Sequence, residues 1–181
     1  MMCLALAYSS LSSFLVLHAE KKGVEGIDLY FTVYAVTLLI SRPMVGKLSE
    51  KFGGTKVLCV TVTAFAIGLY IVGIANNLGE FLSAAIIIAF GYGACQPLIQ
   101  ALCIQSVPPE RRGSASATSY YGTDLGYLAA PIISGQLVER FGYSTMFCCM
   151  SVLPLIGLGL LLVFQNKIVP YSCAATSDGE I

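Results

Sequence analysis

The sequence has 181 residues, of which 56% are hydrophobic and only 11% are charged. Soluble domains carry about 25% charged residues, so this chain has too little charge to cover a water-facing surface, and lipid must be its main solvent. The formal net charge is zero, which gives no reason to expect binding to nucleic acid or to a strongly acidic partner.

Six apolar segments are long enough to cross a membrane. A spanning helix needs about 20 mostly apolar residues, and its backbone polar groups must be satisfied internally. The segments that meet this requirement cover roughly residues 2–18, 27–45, 57–75, 81–106, 114–137 and 143–164. The sequence therefore predicts an all-α membrane protein, with a bundle of six transmembrane helices over 1–166 and a polar cytoplasmic tail over 167–181.

Lysine and arginine residues predict the orientation of this bundle. Basic residues accumulate on the cytoplasmic side of membrane proteins, and seven of the ten in this chain fall on the side that holds both predicted termini. These seven are Arg42, Lys47, Lys51, Lys56, Arg111, Arg112 and Lys167. The exceptions are Lys21, Lys22 and Arg140. We expect a multi-pass protein of the cell inner membrane with both termini in the cytoplasm.

Four of the six predicted helices carry polar side chains on one face, at helical spacing. The third and sixth helices are apolar nearly all round, which is typical of a lipid-facing position. The polar faces consist of Tyr8, Ser9, Ser12 and Ser13; Tyr30, Tyr34, Thr37 and Ser41; Gln96 and Gln100; and Ser116, Tyr120, Asp124, Tyr127, Pro131 and Ser134. A bundle with four such faces must border water or a second bundle.

An eight-residue motif occurs twice in the chain. Residues 46–53 and 135–142 both read G-x-L-x-E-[KR]-F-G, and each copy follows a proline, Pro43 or Pro131. Each copy joins the second predicted helix of a triplet to its third. Three predicted spans separate the copies, so they lie on opposite faces of the membrane. This arrangement predicts an inverted 3+3 repeat, an architecture typical of secondary transporters.

Two stretches of the sequence resemble motifs of the major facilitator superfamily. Residues 42–56 are similar to the family loop motif, usually written G-x-L-a-D-r-x-G-r-k, with Glu50 in place of aspartate and Gly54 in place of a basic residue. Residues 109–135 are similar to the eleventh helix of bacterial members. The resemblance covers roughly residues 5–165 and implies a six-helix half, most like the C-terminal half (helices 7–12) of a twelve-helix transporter.

The resemblance also implies a mechanism. Family members bind a small molecule between two halves, so we expect secondary active transport by alternating access, coupled to protons and directed to efflux. The loop motif implies a latch between the halves, with glycines that permit close approach and a tight turn; simple anchoring at the cytoplasmic surface is the alternative. The latch or gating candidates are Arg42, Gly46, Glu50, Lys51, Gly53, Arg111 and Arg112.

Asp124 is the candidate for binding a proton or a cationic part of the substrate. It lies near the middle of a predicted span, where an acidic group costs about 2.5–3.5 kcal/mol on insertion scales. A lone carboxylate in such a position tends to take up a proton. The alternative is a structural hydrogen bond to a neighbouring helix.

Glutamines and tyrosines are the candidates for lining a substrate cavity. Gln96 and Gln100 lie one turn apart beside Pro97, whose ring can kink the fourth helix. The cavity-lining candidates are Tyr8, Ser12, Tyr30, Tyr34, Gln96, Gln100, Tyr120 and Tyr127. Adhesion between helices, worth roughly 0.6 kcal/mol per hydrogen bond, and aromatic packing are the alternative roles.

No motif in the sequence is typical of an enzyme, a nucleotide site or a metal centre. We therefore predict no catalytic residue, cofactor or metal, and energy from an ion or substrate gradient. The expected partners are a small-molecule substrate, the lipid bilayer and a second six-helix half, supplied upstream in the same chain, by a partner chain or by a second copy. Two alternatives are a six-helix ligand-binding subunit energised by partner proteins and an inactive, truncated transporter half.

Overall fold

The computed structural model describes residues 1–105 and 107–168, with side chains through Val163. All regular structure in these residues is helical. The elements are α1 (Met2–Lys21), α2 (Asp28–Phe52), α3 (Gly54–Ile74), α4 (Leu78–Gln105), a 3₁₀ turn (Pro109–Arg111) and α5 (Arg112–Ile168). Five of these helices are long and apolar enough to cross a membrane. The polar tail predicted from residue 167 lies, from residue 169 onward, outside the described residues.

The helix α5 is broken at Gly142, where φ is +81° and ψ is 170°. A straight helix of its 57 residues would be about 86 Å long at 1.5 Å per residue, nearly three times the hydrocarbon thickness of about 30 Å. We call residues 112–141 the first arm of α5 and residues 143–168 the second arm.

The two arms run in opposite directions along α1. In the first arm, Gly126 lies against the start of α1, and Ser134 is hydrogen-bonded to Ser10 further along it. In the second arm, Phe147 packs on His18 near the end of α1, whereas Gly157 returns to its beginning at Cys3. The chain therefore doubles back at the glycine that ends the second copy of the repeated motif.

The first copy of the motif ends in the same way. Gly53 has a φ of +88° and separates α2 from α3, as Gly142 separates the two arms of α5. A positive φ with an extended ψ is almost restricted to glycine because it has no Cβ atom. The last glycine of each copy thus makes a one-residue turn between two helices.

The structure changes one expectation about the first motif. The second helix was expected to end near residue 45, but α2 continues to Phe52, so residues 46–52 are helical and are not a loop. Lysine, glutamate and serine are compatible with a helix, and only Gly53 interrupts it. Gly46 remains a candidate for close approach by a second half, because outside its own helix no atom of the described residues lies within 4 Å of the position its Cβ would take.

The core forms where α3 and α4 pack together and where α1 meets both arms of α5. Gly91 allows the backbones of α4 and α3 to approach, because a Cβ there would lie 2.5 Å from the amide nitrogen of Phe65. Close backbone contact at small residues is the usual way for membrane helices to associate. Large apolar side chains such as Phe65, Leu69 and Ile88 fill the space around this contact.

The degree of burial separates α2 from α3. In their most apolar stretches, 56% of the residues of α3 are buried but only 17% of those of α2. The third helix was expected to face lipid, yet one of its sides forms the core, and only the opposite side, with Val60, Ile67 and Tyr70, is exposed. An apolar helix is equally compatible with the protein core and with lipid, so the composition of α3 did not distinguish a core position from a lipid-facing one.

The two lysines that contradict the positive-inside pattern have local partners. Lys22 Nζ donates a hydrogen bond to Asn76 Oδ1 at 2.7 Å, and the backbone N–H of Asn76 donates to Glu80 Oε2 at 2.7 Å. The Lys21 ammonium group lies 5.4 Å from the ring centroid of Tyr143, in range of a cation–π interaction. These contacts link α1 to the α3–α4 connection and to the second arm of α5.

Replacing the turn glycine with alanine tests the break between α2 and α3. Because φ is +88° at Gly53, we expect Gly53→Ala to lower the free energy of unfolding by about 1–3 kcal/mol, the usual cost of such backbone strain. The measurement is thermal unfolding of the detergent-purified polypeptide that carries this chain, followed by circular dichroism.

Gly46→Ala is the matched control for this prediction. This glycine lies inside α2 with open space around it, and alanine is the better helix former by about 1 kcal/mol. The control should be as stable as the wild type or more so. Equal stabilities of the two variants would show that the turn does not depend on glycine.

Candidate functional site

Five tyrosines from four helices meet inside the bundle, and we call them the tyrosine cluster. They are Tyr8 of α1, Tyr30 and Tyr34 of α2, Tyr92 of α4 and Tyr127 of α5. The rings of Tyr8 and Tyr92 are stacked, with centroids 3.9 Å apart and planes 2° from parallel. The hydroxyl groups of Tyr92 and Tyr127 are 2.8 Å apart and share a hydrogen bond. The cluster therefore connects the four helices that carry polar faces.

The sequence singled out every member of this cluster except Tyr92. This residue sits within an apolar run, where an aromatic side chain looks like a packing residue. A signal was present, because Tyr92, Gln96 and Gln100 follow one another at four-residue spacing and so share one face of α4. The structure places Tyr92 at the centre of the cluster, in contact with Tyr8, Tyr127 and Phe65.

The remaining cluster contacts run along α2. The rings of Tyr30 and Tyr34 are nearly parallel, at 5°, with centroids 6.4 Å apart, and Tyr34 lies 6.4 Å from Tyr8. Tyr30 is 2% exposed, and its hydroxyl group has no hydrogen-bond partner among the described residues. An unsatisfied buried hydroxyl costs about 1–3 kcal/mol. The tyrosine cluster thus contains a destabilising feature.

Gln100 joins α4 to the first arm of α5. Its Nε2 atom donates to Ser116 Oγ at 2.9 Å, and its Oε1 atom accepts a hydrogen bond from Ser119 Oγ at 3.0 Å. A second polar bridge, between Ser10 and Ser134 at 2.6 Å, joins α1 to the same arm. Both ends of the Gln100 amide are occupied, an arrangement that suits adhesion between helices.

A cleft of about 740 Å³ lies between α2, α4 and the first arm of α5. Ligand sites typically have volumes of about 300–1,000 Å³, so the cleft is of ligand size. Its polar lining comes from Arg42, Ser49, Glu50, Gln96, Gln100 and Tyr120, and its apolar lining includes Val45, Ala94, Pro97, Leu98 and Ile104.

Gln96 lines this cleft and also a small hollow beside Tyr92 and Thr123. Unlike Gln100, its amide makes no hydrogen bond within the described part of the chain. Gln96 is therefore an unpaired polar group between the cleft and Tyr92 of the tyrosine cluster.

Asp124 lies on the exposed side of α5, and its carboxylate has no hydrogen bond or ion pair with any described residue. It stands one turn from Tyr120, which lines the cleft, and beside Thr123, which is buried. The tyrosine cluster does not include it. Ser12, on α1, is likewise exposed.

The latch candidates form no latch within residues 1–105 and 107–168. Arg42, Glu50, Lys51, Arg111 and Arg112 are all exposed, and Glu50 has no ion pair with any of them. Among their side chains, Lys51 Nζ lies 5.5 Å from the ring centroid of Phe52. Arg42 and Glu50 both border the cleft.

Known proteins resemble this chain in sequence. The family model of the Major Facilitator Superfamily matches residues 1–177. The multidrug resistance protein MdtG of Escherichia fergusonii is 29% identical over 174 residues, which cover 92% of this chain and 42% of MdtG. The riboflavin transporter RibZ of Clostridioides difficile is 23% identical over 147 residues, which cover 81% of this chain and 32% of RibZ. The chain thus spans less than half the length of these relatives.

A solved structure resembles the fold. A crystal structure of a POT peptide transporter in complex with alafosfalin superposes with a TM-score of 0.80 at 19% identity, over 93% of this chain and 37% of that one. At this identity the likeness concerns the fold alone. The relatives are transporters and not enzymes, and the family match extends over nearly the whole sequence. This multi-pass membrane chain therefore belongs to the Major Facilitator Superfamily, as its two motifs indicated.

Proposed function

We propose that this chain is one six-helix half of a secondary active transporter, and that its polar faces form a wall of the substrate cavity. The observation that carries this proposal is the cleft between α2, α4 and α5. It is of ligand size, and Arg42, Glu50 and Gln96 border it without partners among the described residues. Gln96 lies within a predicted span, where polar groups are expensive, and those that remain usually face a cavity, a pathway or a partner.

Two features support the six-helix, inverted-repeat architecture. The two arms of α5 run in opposite directions, so each can cross the membrane once. The turns at Gly53 and Gly142 have similar positive φ values and end the two copies of one motif. Transporters built from such repeats bind their substrates at the interface between repeats, near the middle of the bilayer.

A second six-helix half would cover the surface that α2 and α5 leave open. On α2, Val36, Leu39 and Ile40 are exposed, and on α5, Tyr121 and Leu128 are exposed. Lipid or a second bundle can cover such residues, but Asp124 on the same arm favours a bundle or water. The second half would lie upstream in the same polypeptide, in a partner chain or in a second copy. We favour the C-terminal half for this chain because its loop motif departs from the family pattern at Glu50 and Gly54.

The proposed mechanism is alternating access by rocking of the two halves. The latch candidates would act between the halves, since they form no ion pair within the described residues. Gly46 is suited to this role, because its open surroundings on α2 allow another helix to approach closely. Basic residues are prevalent at the end of the bundle that carries the latch candidates, which favours a cytoplasmic position for that end. The bundle would then lie in a bacterial inner membrane.

The substrate is proposed to be a small organic molecule, exported from the cell. The name of MdtG, a multidrug resistance protein, supports export of such a molecule, and the name of RibZ, a riboflavin transporter, supports a small organic substrate. The cleft has apolar walls and a few polar groups, a composition common to sites for such molecules.

Asp124 is the proposed site of proton coupling. Its carboxylate is exposed on a membrane helix and lies one turn from the cleft-lining Tyr120. Protonation would remove its charge, and a second half would then meet a neutral surface in place of an anionic one. The two halves could therefore prefer different arrangements in the two protonation states.

Asp124→Asn tests this coupling. The probe substrate is ethidium, a planar cation with amino groups. Asparagine keeps the size of the side chain but cannot exchange a proton, so we expect ethidium flux driven by a pH gradient to fall to the level of empty liposomes. The measurement uses the full polypeptide that carries this chain, reconstituted into proteoliposomes with an imposed pH gradient. Glu25→Gln, in the exposed α1–α2 connection, is the control and should transport normally. Unchanged flux in Asp124→Asn would exclude this residue as the coupling site.

The two glutamines of α4 provide a second test, because they differ in their partners. Gln100→Ala removes two hydrogen bonds to α5 and should lower the free energy of unfolding by about 1 kcal/mol, at roughly 0.6 kcal/mol per bond. Gln96→Ala removes no such bond and should leave stability unchanged. We expect it instead to lower transport efficiency by about tenfold, the loss expected for one substrate hydrogen bond.

Thermal unfolding and ethidium flux, measured on both variants, check this prediction. Each glutamine serves as the control for the other. Normal transport by Gln96→Ala would remove it from the substrate route.

A further inference from the structure

The tyrosine cluster contains a hydroxyl group for which the bundle provides no partner. The Tyr30 oxygen is the one side-chain nitrogen or oxygen atom that is both buried and unpartnered within the described residues. In the same cluster, the hydroxyl groups of Tyr92 and Tyr127 do have partners, because they form a hydrogen bond with each other. Buried polar groups in folded proteins nearly always have a partner, and an exception points to a functional role or to a missing ligand.

Aromatic rings surround this hydroxyl. Tyr30 contacts the ring of Phe31 edge-on and lies nearly parallel to Tyr34. Tyr34 in turn adjoins Tyr8, which is stacked face to face on Tyr92. Ring faces interact well with any other aromatic ring in offset-stacked or edge-on geometry. A set of ring faces with one free hydroxyl therefore favours a ligand that has both a ring and a polar substituent.

We propose that the Tyr30 hydroxyl is the hydrogen-bonding group of a binding subsite for a ring-bearing small molecule with a hydrogen-bond donor or acceptor. The inference rests on the proposed transport function and names its substrate class. The ring of the bound molecule replaces one ring of the Tyr8–Tyr92 stack, and its polar substituent bonds Tyr30. In the arrangement described above, the tyrosine rings occupy this space themselves.

The cleft meets the tyrosine cluster at Gln96. This residue borders both the cleft and the hollow beside Tyr92, which is too small to hold a ligand. Tyr30 lines neither space, so a molecule reaches its hydroxyl group only when the rings rearrange. The rings must separate to admit it, which fits a site that is formed in one facing of a transporter and closed in the other.

Tyr30→Phe separates a ligand-binding hydroxyl from a packing residue. The variant keeps the ring and removes the orphan oxygen. We therefore expect the midpoint of thermal unfolding to rise, while the affinity for ethidium, a planar cation with amino groups, falls by about three- to tenfold, as for one lost hydrogen bond. The affinity for tetraphenylphosphonium, a cation with rings but no hydrogen-bonding group, should not change. Calorimetric titration of the full detergent-purified polypeptide measures both affinities.

Tyr121→Phe is the matched control, since Tyr121 is 70% exposed on α5 and lies outside the cluster. It should change neither the stability nor either affinity. A more stable Tyr30→Phe variant with unchanged ethidium affinity would overturn the proposal, since the orphan hydroxyl would then be a packing defect. Equal losses for both cations would also overturn it, because the ring and not the hydroxyl would be responsible. Failure of the wild type to bind ethidium would reject the substrate class.

This test is independent of the proposed transport function. Binding is measured at equilibrium without a gradient, whereas the Asp124→Asn experiment measures gradient-driven flux. If flux occurs and Tyr30→Phe binds ethidium normally, the subsite is wrong and the transporter remains. If ethidium binds through Tyr30 but no gradient drives its flux, the subsite stands and the transport function fails.

Discussion

Inside a bilayer a backbone amide can find a hydrogen-bond partner only within its own helix or another part of the protein. This constraint accounts for the long uninterrupted helices of the chain. The motif of α2 shows that a helix can also continue through polar residues, up to the turn at Gly53. A helix does not need an apolar sequence to persist; it ends where the backbone of one residue departs from helical geometry.

Two groups of polar side chains in the bundle differ in their partners. In the first, partners on different helices satisfy each other: Ser10 with Ser134, Gln100 with Ser116 and Ser119, and Tyr92 with Tyr127. These pairs fix the position of the first arm of α5 against α1 and α4. The second group has no partner among the described residues. Gln96, Asp124 and Tyr30 belong to it, and each is more easily understood through a substrate, a proton or a second bundle than through the stability of this bundle alone.

Sequence patterns predicted the helices and the polar faces because both are local properties with a regular period. The apolar lengths predicted long membrane helices, of which the described residues contain five, and the glycine that ends each copy of the repeated motif marks a break between helical segments. Partners across helices were not predictable in this way. Gln96 and Gln100 have the same chemistry and lie on the same face of α4, yet only Gln100 meets serines of α5. Tyr92 was missed because an aromatic residue in an apolar run looks the same whether it contacts lipid or other tyrosines. The burial of α3 depends on which helices pack against it, and the sequence of α3 alone does not contain that information.

The two turns have similar backbones, but the motif copies that end at them differ in charge. The copy that ends at Gly53 carries Lys47 and Lys51 around its glutamate, whereas the copy that ends at Gly142 has Gln136 and Arg140 at the same places. A one-residue reversal between helices is equally useful at either surface of a membrane, so the glycine is present in both copies. Basic side chains are not equally favoured at the two surfaces, and the two copies differ in their number. In the proposed orientation, the shared glycine answers to the geometry of the backbone, and the differing basic residues answer to the electrostatics of the two membrane surfaces.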